Sequence, residues 1–282
     1  MKKIVNWLSS LFSSDDNKVT DSYGAPGRGK SVHISVITAI SLMVLWYLST
    51  ETFDLVRPLV FPSPVAVFNR FIDTALYGFG NSILTTHIGW SMYRVFTAFF
   101  LACITAIPIG ILMGVNRYMR GIFDPPIEFY RPIPPLAYLP LVIIWFGIDE
   151  TAKIIIIYLA IFAPMVLNTR AGVRSVAIEQ IHAAYSMGAN SRQVLTQIIL
   201  KAAMPEILTG MRIGIGFGWT TLVAAELLAA EQGLGFMINS AANFLTTSVV
   251  VMGIIVIGVI AYSFDLLMRY IEKTVVPWKG KV

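Results

Sequence analysis

Four ionisable residues stand where the chain is otherwise apolar: Glu128, Arg131, Glu226 and Asp265. A charge inside a membrane-spanning stretch is costly, so such residues are candidates for a pathway or a gate. Glu128 and Arg131 lie three apart and can pair on one helical turn. They come just before Pro132, Pro134 and Pro135, which must interrupt helix geometry. Two readings are open: a structural or gate-stabilising ion pair, or Arg131 attracting a tetrahedral anion that suits its planar fork. Trp219, Thr220, Thr221 and Glu226 make a second group. Trp219 and Glu226 are seven apart, hence on one helical face. Their hydroxyls and indole N–H could line a polar path, or could bond neighbouring helices.

A different kind of chemistry is written in "EQIHAAYSMGANSRQVLTQIILKAAMP", Glu179 to Pro205, the most polar run in the middle of the chain. Ile178, Ile181, Ala184 and Tyr185 share one face of a helix. Gly188 and Ala189 break it, because glycine tolerates the left-handed geometry that ends helices. Asn190 or Ser191 can cap the next helix, and Gln193 completes a variant of the capping box with Asn190. Val194, Leu195, Ile198 and Ile199 form a second apolar stripe, and Pro205 is expected to precede the next span. The small pair Ala183–Ala184 leaves a shallow surface that a partner groove can approach. The residues read as a water-facing helix, glycine turn and helix: a docking element, or a plain connecting loop.

The elements that must position these groups are spans. Of 282 residues, 56% are hydrophobic and only 13% charged, with mean hydropathy +0.71. Soluble domains carry nearer 25% charge, so the composition excludes a large soluble core and points to an all-α, polytopic membrane protein. Six spans are expected, at roughly 32–48, 83–115, 122–148, 152–167, 207–230 and 249–268, the third broken by prolines. Gly210, Gly214 and Gly218 fall four apart, as do Gly110 and Gly114, the spacing that lets helix backbones approach closely. Residues 1–31 read as an N-terminal tail before a membrane domain over 32–282. The pattern of Ile4, Val5, Trp7, Leu8, Leu11 and Phe12 fits a short surface helix or a frayed terminus. No cleavable signal is expected.

The net charge of +5 is not gathered into a nucleic-acid patch. Arg117, Arg120, Arg170, Arg174, Arg192, Lys201, Arg269 and Lys273 fall on one side of the expected topology, and Glu51, Asp54, Asp149, Glu150 and Glu231 on the other. The positive-inside rule therefore puts both termini and segment 179–205 in the cytoplasm. Cys103 is the single cysteine, so no internal disulfide forms. His33, His87 and His182 are scattered, and no metal site is expected. "GAPGRGKS" at 24–31 superficially resembles a phosphate loop but has the wrong glycine spacing and no preceding strand. No nucleophile–base constellation suggests an enzyme. A stand-alone secondary transporter or channel is the competing class, and the matched inverted halves that would favour it are not evident.

The run "HAAYSMGANSRQVLTQIILKAAMPEILTGMRIG" resembles the signature of the inner-membrane permease subunits of bacterial ABC importers. That family carries Glu-Ala-Ala, a glycine four residues on, and Ile-x-Leu-Pro after a fixed gap. Ala183, Ala184, Gly188, Ile198 and Leu200 fit; His182 replaces the usual Glu and Lys201 the usual Pro. "FPSPVAVF", "DPPIEFYRPIPPLAYLPLVIIWFGIDETAK", "GWTTLVAAELLAAEQGLGFMI" and "PWKG" extend the resemblance to the branch that imports taurine, aliphatic sulfonates and nitrate. The resemblance implies a type I importer permease fold with its core at about 81–271. It implies a coupling segment at 179–205, with His182, Ala183, Ala184, Gly188, Ala189 and Asn190 docking in a groove of the ATPase. It implies a permease homodimer, two ATP-binding subunits that use ATP and Mg, a periplasmic binding protein, the bacterial inner membrane, and no cofactor in this chain. The implied cargo is taurine or a related small sulfonate; longer aliphatic sulfonates or nitrate are the alternatives.

Overall fold

The computed structural model describes residues 32–278 apart from 54 and 81. The N-terminal tail expected at 1–31, the phosphate-loop look-alike and the last four residues lie outside the described residues. The chain divides after Leu48 into two units. The first contributes α1 (Val32–Tyr47), an apolar helix that continues through a π-helical turn, Leu48–Thr52.

The second unit is all helix apart from its connections. Its elements are α2 (Pro64–Leu76), α3 (Leu84–Val115), α4 (Arg117–Tyr130), α5 (Pro135–Phe146), α6 (Glu150–Arg174) and α7 (Ile178–Ser186). They continue with α8 (Ser191–Gln193), a π-helical turn Val194–Ile199, α9 (Leu200–Ala229), α10 (Leu234–Asn243) and α11 (Thr247–Val275). Among the described residues, five helices are long and apolar enough to cross a membrane, or six if one bent pair counts as a span. That pair is α4 and α5, bent by 106°. Pro132, Pro134 and Pro135 withdraw backbone donors and fix φ there, so the third span is two half-helices rather than one.

Boundaries of the fourth and fifth spans differ from the sequence expectation for physical reasons. The fourth span runs on to Arg174 rather than ending near Leu167, because its last turns are buried against α3 and α9. Pro205 lies inside α9 rather than before it; neighbouring helices let a membrane helix carry such a break. Two short helices, α2 and α10, have no counterpart in the sequence reading. The start of α2 was signalled: Ser63 caps it by accepting from the Ala66 N–H at 3.3 Å, with Pro64 at the first helical position.

Helix α6 is the axis of the bundle, with α3 along one side and α9 along the other. Both approach through glycine. A side chain at Gly110 would place its Cβ 2.6 Å from the Cβ of Thr169 and 2.8 Å from the Val166 carbonyl. On the far side, Gly210 faces Asn168, Gly214 faces Ile161, and Gly218 faces Ile161 and Ile157. The two glycine stripes read from the sequence are thus the seams of the fold, where van der Waals contact replaces a hydrophobic driving force. Numbers rise together along α3 and α6 and oppositely along α9. The bundle therefore has one end that carries residues 115, 174, 178–200 and 275, and another that carries 84, 150 and 229. Large apolar side chains of α11, among them Ile254, Val259 and Tyr262, are exposed, as a lipid- or partner-facing surface requires.

Candidate functional site

At the first end of the bundle, the segment read as a helix, turn and helix has that form. Helix α7 closes in a Schellman turn: the Gly188 N–H donates to the Tyr185 carbonyl at 2.9 Å and the Ala189 N–H to the Ala184 carbonyl at 3.0 Å. Gly188 sits at φ +86°. The capping box is complete, with the Gln193 N–H donating to Asn190 Oδ1 and the Asn190 N–H to Gln193 Oε1, both at 2.9 Å. His182, Ala183, Gly188 and Asn190 are exposed, Ala189 is half-buried and Ala184 is buried. Around them stand Ile178, Tyr185 and Met187, the last 81% exposed. An apolar tip with rigid backbone and little side-chain bulk at Ala183 is a shape a groove can take. The tip is not on a loose loop, because the helix running from Ser191 continues to Leu227 without a break.

At the opposite end lies a buried ionic network that the sequence reading missed. Arg94, on α3 and 1% exposed, makes a two-point contact with Glu150 at the start of α6: Nε to Oε2 at 2.6 Å and Nη2 to Oε1 at 2.7 Å. Its Nη1 donates to Glu226 Oε1 on α9 at 2.6 Å and to the Gln232 carbonyl at 2.7 Å. Lys153 donates to Glu150 at 2.8 Å. Glu226, with no exposed surface, also accepts from the Ser91 hydroxyl at 2.8 Å and the Gly235 N–H at 2.8 Å. The Leu234 N–H donates to Ser91 Oγ at 2.9 Å and the Gly233 N–H to His87 Nδ1 at 3.1 Å. Three helices and the turn before α10 are thereby tied at one point. Gly233, at φ +133°, sits against the Glu226 carboxylate where a side chain has no room. Two positive and two negative charges balance, which is the condition for burying any of them. Arg94 was the available signal: an arginine amid Tyr93, Val95 and Phe96 in a long apolar span is by default paired or functional.

An open cavity of about 590 Å³ lies over this network, walled by Trp90, Glu150, Lys153 and Gln232. Asp149 and Glu231 stand at it without an ion pair among the described residues.

The remaining sequence candidates are distributed rather than gathered. The Glu128–Arg131 pair is not formed. Glu128 lies 3.6 Å from Arg170 of α6, which is also bound to Asp124 one turn earlier on α4. Arg131 is left at the end of α4, lining a cleft of about 440 Å³ at the bend. Trp219 is buried against Phe264, with ring centroids 6.5 Å apart, and Thr221 is buried near it in sequence. Thr220 is exposed and donates to the Phe217 carbonyl at 2.9 Å. Trp219 and Thr220 share a cavity of about 360 Å³ between α9 and α11 with Arg212 and Asp265. Glu226 is in none of these cavities.

Helices crossed through glycine seams, a broken half-helix pair and a rigid tip at one end define a polytopic helical membrane protein, and comparison with known proteins gives its family. The model of the "Binding-protein-dependent transport system inner membrane component" family matches residues 106–277, and the chain belongs to that family. It is therefore a multi-pass inner-membrane protein. It is 49% identical over 254 residues, covering 90% of this chain and 92% of the other, to the taurine transport system permease protein TauC of Escherichia coli (strain K12). It is 35% identical over 255 residues, 90% of this chain and 91% of the other, to the putative aliphatic sulfonates transport permease protein SsuC of Bacillus subtilis (strain 168). In fold it is similar to a chain of the inward-facing MetNI methionine ABC transporter, with TM-score 0.58 and 17% identity over 68% of this chain and 95% of that one.

Proposed function

We propose that this chain is the membrane-spanning subunit of an ATP-driven importer that brings taurine, or a closely related small sulfonate, across the inner membrane. The observation that carries the coupling part is the exposed Schellman turn at Gly188, which leads through the Asn190 cap directly into the continuous helix Ser191–Leu227. A push on that tip moves the helix rather than a loop. His182, Ala183, Gly188, Ala189 and Asn190 form the tip that enters a groove of a separate ATP-hydrolysing subunit, and Ala184, expected from the sequence to share that surface, is buried beneath it. ATP and Mg act on that subunit, and this chain supplies no phosphate loop to the reaction. Two copies of the chain, two ATPase subunits and a periplasmic binding protein make the working assembly. The excess of Arg and Lys at the tip's end of the bundle supports a cytoplasmic reading of that end and of both termini. Taurine is favoured over longer sulfonates by the 49% identity to the taurine permease against 35% to the sulfonate one.

The test is ATP hydrolysis by the reconstituted complex with its cognate periplasmic binding protein. Taurine is expected to stimulate it more than a longer alkanesulfonate or nitrate. Stimulation by nitrate alone would overturn the substrate and keep the importer; transport that persists without ATP would favour a secondary transporter. In the same assay Gly188→Val is expected to uncouple. An added Cβ at Gly188 meets nothing within 4 Å, so the substitution acts through backbone strain alone. A β-branched residue at φ +86° costs about 1–3 kcal/mol, enough to deform the tip while leaving the bundle folded. Normal co-purification with the ATPase and full stimulation in Gly188→Val would refute the docking role.

A further inference from the structure

The cleft at the bend between α4 and α5 contains one charged group and no counter-charge. Arg131 lines it together with Tyr138, Asn168, Phe217 and the prolines of the bend. Arg131 is exposed, so a solute can reach it, and its guanidinium has no hydrogen-bond or ion-pair partner among the described residues; Glu128 and Asp124 on the same half-helix pair with Arg170 instead. Pro134 and Pro135, at the N-terminal end of α5, line the same cleft. That end carries the positive pole of the helix dipole, which adds to the field of the arginine. The remaining wall is apolar, from Leu159, Ala163 and Leu167 among others. Interrupted backbone at membrane depth is tolerated where it lines a cavity, and half-helix ends with a lone cation are the features that attract an anion there.

We infer that this cleft is an anion subsite, in which Arg131 receives the sulfonate end of the cargo while the short carbon chain lies on the proline and aromatic wall. The inference rests on the importer reading above and sharpens it. No carboxylate lines the cleft, so it offers an ammonium group no ion pair. The sulfonate is thus the end of taurine that the cleft reads by charge, and charge-based discrimination by the amine falls to the binding protein. The cleft is roomy at about 440 Å³; one fork contact in a space of that size lets an anion pass rather than stay.

The experiment uses the complete complex in proteoliposomes, with taurine and with ethanesulfonate, which lacks the amine. Substrate accumulated and ATP hydrolysed are measured together, and binding of labelled taurine to the binding-protein-free complex is measured separately. Arg131→Gln is expected to leave complex assembly and binding-protein-stimulated hydrolysis intact while transport per ATP falls about tenfold, the scale of one charge-assisted hydrogen-bonded contact. Arg131→Lys should recover part of that loss. Ethanesulfonate should compete with labelled taurine on the binding-protein-free complex about as well as unlabelled taurine does. Unchanged transport per ATP in Arg131→Gln overturns the inference. So does loss of stimulated hydrolysis in parallel with transport, which marks a structural role, and so does competition by taurine but not ethanesulfonate. If the parent complex responds to nitrate alone, the substrate proposal falls and this inference falls with it, whereas unchanged transport per ATP in Arg131→Gln of a taurine-responsive complex overturns the inference alone.

Discussion

Glu226→Ala removes the folded permease from the membrane. The Glu226 carboxylate is fully buried and accepts from Arg94, Ser91 and the Gly235 N–H. Its deletion leaves the guanidinium of a 1%-exposed arginine short of one of its two carboxylates, and it leaves the Gly235 N–H and the Ser91 hydroxyl short of an acceptor. Breaking a buried pair from one side costs about 3–5 kcal/mol, against a total stability of about 5–15 kcal/mol for a typical domain. Glu226→Gln keeps the shape and most of the hydrogen bonds and loses the charge, so its cost is nearer 1–3 kcal/mol. Thermal unfolding of the detergent-solubilised chain, followed by size-exclusion chromatography, ranks them. The parent should melt highest, Glu226→Gln below it, and Glu226→Ala should yield little monodisperse protein. Equal melting of all three would show that the network contributes nothing to the fold.

Gly110→Ala and Gly216→Ala, chemically the same change, should part company. The first drives a methyl group into the backbone of α6, 2.8 Å from the Val166 carbonyl and 2.6 Å from the Thr169 Cβ. Helices α3 and α6 must separate, and overpacking of this kind costs about 1–3 kcal/mol. At Gly216 an added Cβ meets nothing within 4 Å, and alanine improves helix propensity by up to about 1 kcal/mol. The same melting assay should show Gly110→Ala destabilised and Gly216→Ala unchanged or stabilised. A Gly110→Ala variant as stable as the parent would mean that the α3–α6 seam is looser than its geometry.

What could be read from the sequence divides along physical lines. The turn at Gly188 and the box at Asn190 and Gln193 were legible because caps obey local rules: each contact joins residues within five positions. The glycine seams were legible because a four-residue spacing is itself the contact surface. The ionic network was not, because it joins Ser91 and Arg94 to Glu150, Glu226 and the 232–235 turn across separations of 56 to 143 residues. Before folding, Arg94 signals that it needs a partner but not which one, and Lys153 gives no signal at all. Arg131 failed differently. A three-residue spacing permitted a pair with Glu128, but Arg170, from a helix 39 positions further on, reached Glu128 instead, an outcome that only tertiary packing decides.

The π-helical turn Val194–Ile199 stands between the capped tip and the Gly210–Gly214–Gly218 stripe on a single rod of 37 residues. A rod transmits rotation as well as displacement, so what matters is the angular phase between its two working faces. Each residue of an α-helix advances that phase by about 100°. The wider turn holds a surplus fraction of a residue and thereby sets the direction in which the Gly188 tip points when the glycine stripe is seated on α6. Loss of one residue from this turn would let it close as ordinary α-helix and nearly keep the phase, whereas loss of one residue from the α-helical rod between the turn and Gly210 would swing the tip by about 100° and aim it away from its partner.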